Sequence, residues 1–82
     1  MTDERVLMYG KPGCHLCDDA RAVIQAVCDE LGVGFAEVDI TTSAELVRAY
    51  GEQIPVTFVD GRQHDFWRVD ATRLRRALSP PV

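Results

Sequence analysis

The sequence predicts an α/β fold: a four-stranded mixed sheet in the order β-α-β-α-β-β-α, with helices covering both faces. Three observations point to it. A continuous apolar run, Val6-Leu7-Met8-Tyr9, gives way to helical spacing from Cys14 to Leu31. Phe35 to Ile40 alternates apolar and acidic residues, as a strand does. Asp60-Gly61, the dipeptide of a tight hairpin turn, lies between two extended runs. The 82 residues make a single domain, 1–82, in which 79–82 (Ser-Pro-Pro-Val) read as a short flexible tail.

Each element has a local cause. Val6 to Tyr9 is apolar throughout, which suits a strand buried on both faces, and Gly10 with Pro12-Gly13 breaks it. Cys17, Ala20, Ile24, Val27, Cys28 and Leu31 then recur on one helical stripe that Gly32 closes. In the next strand Ala36, Val38 and Ile40 share one side and Glu37 and Asp39 the other, so one face is expected to be solvated or the strand to lie at an edge.

Thr42 with Glu45 reads as a capping box for a short helix ending at Gly51. Val56-Thr57-Phe58-Val59 is a β-branched strand, and its hairpin partner is expected from about Gln63 to Val69. Asp70 caps a last helix with Leu74, Ala77 and Leu78 inward and Arg73, Arg75 and Arg76 toward water. Strands joined through a helix are expected to be parallel, by right-handed crossover, with the hairpin adding an antiparallel one.

Composition excludes several functions. Thirteen acidic residues against nine basic ones leave a net charge of −4, and Lys and Arg form no stripe. Nucleic acid and anionic membranes therefore have no electrostatic footprint to meet. The Met1-Thr2-Asp3-Glu4-Arg5 start, followed by a short apolar run, offers no secretory core or transmembrane span, so the expected location is the cytoplasm. Three cysteines in a reducing compartment make a poor disulfide framework.

The chemistry concentrates in Tyr9 to Asp19, YGKPGCHLCDD. Cys14 and Cys17 stand three apart at the start of a helix, where residues so spaced lie about 5–6 Å apart, within disulfide reach. Unpaired N–H groups and the positive dipole end favour a thiolate at the first sulfur, so Cys14 is assigned as nucleophile. Cys17, one turn deeper on the inward stripe, is assigned as the resolving thiol. Lys11 and a protonated His15 would stabilise the Cys14 thiolate, whereas Asp18 and Asp19 oppose further negative charge. The same spacing is compatible with half a zinc site or two incidental thiols. A zinc site lacks a second CxxC, and a place after a first buried strand favours redox chemistry. Gln53-Ile54-Pro55-Val56 is the second half of the candidate site, with Pro55 directly before a β-branched strand.

With these residues in view, the chain resembles the glutaredoxin-like members of the thioredoxin superfamily from Val6 to Leu78. YGKPGCHLC is similar to their strand, Lys, Pro and Cys-x-x-Cys segment, and QIPVTFVDG to their cis-proline strand. The resemblance implies a thioredoxin-like fold, Lys11 as a thiol contact, Cys14 and Cys17 as the redox pair, and Ile54 and cis Pro55 as the substrate-backbone site. It also implies no tightly bound cofactor. Where the family carries Pro-Tyr between the cysteines this chain has His15-Leu16, and where it places Gly-Gly before the last helix this chain has Trp67-Arg68-Val69-Asp70. The electron donor is thus left open between thioredoxin reductase with NADPH and a low-molecular-weight thiol such as glutathione.

The expected function is a monomeric thiol–disulfide oxidoreductase acting on a disulfide-containing protein or a small thiol substrate, with no nucleic-acid or membrane partner. The alternative is a non-catalytic redox-sensing or protein-docking module of the same fold. Cys28 lies about 16 Å beyond Cys17 along the helix and is expected to be a core thiol. His64 is expected on the surface, and Trp67 either in the core or facing a partner.

Overall fold

The computed structural model describes residues 4–79, so Met1 to Asp3, and Pro80 to Val82 of the expected tail, lie outside the described residues. The elements are β1 (Val6–Gly10), α1 (His15–Leu31), β2 (Phe35–Asp39), a 3-10 turn (Ile40–Thr42), α2 (Ala44–Tyr50), β3 (Val56–Val59), β4 (Arg62–Phe66) and α3 (Ala71–Leu78). They form a four-stranded mixed sheet in the order β2-β1-β3-β4, a thioredoxin-like α/β fold. Among the described residues no helix is long and apolar enough to cross a membrane.

Strand direction departs from expectation at one place. β1 and β2 are parallel, joined through α1, but β3 runs antiparallel to β1 although α2 precedes it. A parallel crossover must carry the chain back the length of the sheet. Seven residues of α2 rise only about 10 Å, less than the strand it would have to retrace. The register shows the result: β2 ends at Asp39 opposite Gly10, and β3 begins at Val56 opposite Tyr9, at the same end of the sheet.

One face of the sheet carries Val6, Met8 and Gly10 and is covered by α1, which packs on α3. Val6, Met8, Ile24, Val27, Val56 and Leu74 form the centre of the core, each at most 1% exposed. Tyr9 and Phe58 on the opposite face meet Tyr50 of α2 edge-on, at ring-centroid distances of 5.1 and 5.9 Å, and each other at 4.9 Å. α2 covers that face only locally, so Leu7 and Tyr9 are half-buried and β1 is fully buried on one face alone.

Several boundaries shift for local reasons. Gly10 is the last residue of β1 rather than the first residue beyond it. α2 is capped by Ser43, whose hydroxyl accepts from the Leu46 N–H at 3.3 Å, while the Thr42 hydroxyl is already committed to the Asp39 carbonyl. β2 is the edge strand expected, but its charged face turns toward α1, where Arg21 grips Glu37 with two bonds of 2.6 and 2.7 Å. The hairpin turn carries Asp60 at φ 51° and Gly61 at φ 81°, the double left-handed pair of a tight two-residue turn. β4 stops at Phe66, short of the expected Val69, because Trp67 takes φ 64° and leaves the ladder.

The Arg face of α3 is exposed, as expected, and is also tethered. Arg73 bonds Asp65 of β4 at 2.7 Å and Arg75 bonds Glu30 of α1 at 2.9 Å. His64, expected on the surface, is largely covered, its side chain 11% exposed.

A candidate dithiol active site

Gly10 ends β1, and residues 11–13 turn the chain back over the sheet into α1. Gly13 makes the turn at φ 74°, and Cys14 follows in extended geometry as the N-cap. The usual cap is a side-chain oxygen. Here the cap is sulfur: Cys14 Sγ accepts the Cys17 N–H at 3.3 Å. That bond and the first turn of the helix both face Cys14, which is half-buried.

Cys17 has the opposite surroundings. It is fully buried, and burial pushes its thiol up to about 11; a hydrogen bond to Cys14 and that residue's charge add to the effect. The Lys11 backbone N–H and the charge of Arg21 counter it only in part. Arg21 also holds Asp18 at 2.8 Å, so Asp18 is compensated rather than left facing the sulfurs.

Gly10 explains how Cys17 fits. A β-carbon there would lie 3.1 Å from Cys17 Sγ and 3.3 Å from Met8 Cε, so the sulfur occupies the space a side chain would need. Sequence reasoning took Gly10 only as a strand breaker. Its alternation with Val6 and Met8 on the α1 face was the signal available.

Ile54 and Pro55 are both buried, and the peptide bond between them is cis. Because Val56 pairs with Tyr9, Pro55 falls beside Gly10 and so under the Cys14–Cys17 turn. Among the described residues, neither the N–H nor the C=O of Ile54 hydrogen-bonds to another backbone group, whereas Pro55 C=O accepts the Trp67 N–H at 2.8 Å. The fold thus brings Cys14, Cys17, Ile54 and Pro55 to one end of the sheet. Lys11 and His15 flank them with exposed side chains, and neither side chain bonds a cysteine sulfur. Among the described residues no three His, Cys, Asp or Glu side chains converge as metal ligands. Cys28 is buried in the core, where burial and Asp29 raise its thiol.

A family model described as a glutaredoxin-like domain (DUF836) matches residues 5–79. The chain belongs to the glutaredoxin-like domain family, within the thioredoxin superfamily. An uncharacterized protein of Mycobacterium tuberculosis is 30% identical over 84 residues, covering 96% of this glutaredoxin-like chain and 87% of its own length. The X-ray structure of a structural-genomics target protein from X. campestris superposes with TM-score 0.75 at 36% identity, over 92% of this chain and 99% of that one. A Fasciola hepatica thioredoxin, 24% identical over 93% of this chain and 81% of its own, superposes at TM-score 0.59 and shows the shared fold.

Proposed function

We propose that this glutaredoxin-like protein is a dithiol oxidoreductase that reduces protein or low-molecular-weight disulfides through a reversible Cys14–Cys17 disulfide. The observation that carries the reading is the contrast within the pair. Cys14 is accessible and accepts an N–H at the helix start, while Cys17, one turn away, is sealed and held protonated to about 11. A nucleophile must be reachable and charged, and a resolving thiol must wait.

The steps balance as follows. Cys14 thiolate attacks one sulfur of a substrate disulfide; that S–S bond breaks, the other sulfur leaves as thiolate and takes a proton, and a mixed disulfide forms at Cys14. Cys17 then gives up its proton to the second departing sulfur and attacks Cys14. The pair ends as a disulfide, and the substrate as two thiols, reduced by two electrons. In this reading the Ile54 backbone, which bonds no other backbone group among the described residues, pairs with an extended peptide crossing Cys14. An external reductant resets the pair: thioredoxin reductase with NADPH, or a thiol such as glutathione. The reading assigns the protein to the cytoplasm, where such reductants keep dithiols reduced.

Insulin-disulfide reduction with dithiothreitol tests this. Turnover above background is expected, with Cys14→Ser abolishing it and Cys17→Ser trapping a mixed disulfide at Cys14. No rate above background would favour the redox-sensing or docking module instead. Comparing NADPH consumption with thioredoxin reductase against glutathione plus its reductase then assigns the donor.

A further inference from the structure

Trp67 occupies a backbone conformation that a bulky side chain rarely adopts, at φ 64°. Three hydrogen-bond contacts hold it there: its N–H, shared between Pro55 C=O at 2.8 Å and Gln53 C=O at 3.3 Å, and its indole Nε1–H to Glu52 C=O at 3.0 Å. Such strain persists only where its surroundings over-determine it, and it clusters at functional sites. Here the bonds do not bury the ring. Trp67 stays 51% exposed, edge-on to Phe66, which is itself 47% exposed.

The ring forms one wall of a groove of about 230 Å³ lined by Leu16, Asp19, Ala20, Val23, Arg68 and Val69. Leu16 stands between the two cysteines in sequence and joins this groove to the dithiol. The floor is apolar, and an apolar cavity of about 150 Å³ is enough to hold a benzene ring. Asp19 on the α1 side and Arg68 on the turn side have no ion-pair partner among the described residues. The groove therefore offers an apolar slot between one unpaired acid and one unpaired base.

We infer that this groove seats a bulky apolar side chain next to the reactive cysteine of a polypeptide disulfide, and that Trp67 is the residue that sets this specificity. The occupant is an extended peptide segment paired with Ile54, its apolar residue against Trp67 and Leu16. Asp19 and Arg68 are placed to meet a basic and an acidic residue flanking that anchor. The inference deepens the proposed function and rests on it.

The test compares kcat/KM for two disulfide-linked peptides of equal charge, one with Phe beside the cysteine and one with Ser. The wild-type protein is expected to prefer the Phe peptide by about tenfold, as apolar pockets commonly discriminate. Trp67→Gly relieves the positive φ rather than adding strain, and should bring the ratio of the two kcat/KM values toward one. Leu16→Ser on the facing wall, a change at an exposed helical position, should lower the same ratio without touching the turn. Loss of fold would depress both rates together and leave the ratio standing. Turnover of both peptides with no preference in the wild-type protein, or a ratio unmoved in both variants, overturns the inference while leaving the oxidoreductase reading intact. Failure to reduce either peptide or insulin overturns that reading, and the inference with it.

Discussion

Removing the Cys14 sulfur from the dithiol tests whether burial, rather than the neighbouring sulfur, holds the Cys17 proton. In Cys14→Ala, the hydrogen bond to Cys14 and that residue's charge are gone, but burial is the largest cause of the rise to about 11. Cys17 should therefore remain far above the ordinary value of 9.0. For a group near 11, the thiolate fraction at pH 7 is roughly 10⁻⁴, about a hundredfold below that of an ordinary buried-free thiol near 9. Iodoacetamide modification of Cys17, followed by peptide mass spectrometry at several pH values, should rise about tenfold per pH unit and show no plateau below pH 10. A second measurement follows from linkage. The fold favours protonated Cys17, so its contribution is complete below about pH 9 and is lost as pH climbs toward about 11. The displacement from 9.0 to about 11 corresponds to about 3 kcal/mol between the protonation states. Urea unfolding of wild type against Cys17→Ala, at pH 8 and again above pH 10, isolates this loss, because other alkaline groups titrate in both proteins. A Cys17 plateau near or below pH 9, or equal alkaline losses in the two proteins, would refute the reasoning.

Three further outcomes follow from the packing. Leu74→Ala removes a fully buried anchor of α3 and should cost about 2–5 kcal/mol in urea unfolding, a large share of a small domain's stability. Ser43→Ala should cost about 1 kcal/mol by loss of the α2 cap, and Thr42→Ala clearly less; equal losses would restore Thr42 as the cap. Gly10→Val drives a side chain into the Cys17 sulfur and should cost about 1–3 kcal/mol by overpacking, seen as a lower urea midpoint.

Much of this protein is legible from short stretches of sequence, because the forces that write those stretches are local. The apolar stripe from Cys17 to Leu31, the Gly32 stop, the Asp70 cap and the Asp60-Gly61 turn each depend on neighbours a few residues away. They appear in the fold where periodicity and capping place them. The CxxC at the head of a helix is legible for the same reason, down to the accessible first sulfur.

Tertiary structure decided what depends on distant segments. The direction of β3 follows from how far a seven-residue α2 can carry the chain, and no propensity encodes that length against the sheet. The space that receives Cys17 comes from Gly10 on another element, and its high thiol value comes from that burial rather than from the HLCDD residues around it. Trp67 left the strand expected to run through it because three carbonyls, of Glu52, Gln53 and Pro55, hold its N–H groups across the sheet end. Helical and turn signals act within a few residues; register, burial and desolvation arise only when the whole chain has closed on itself.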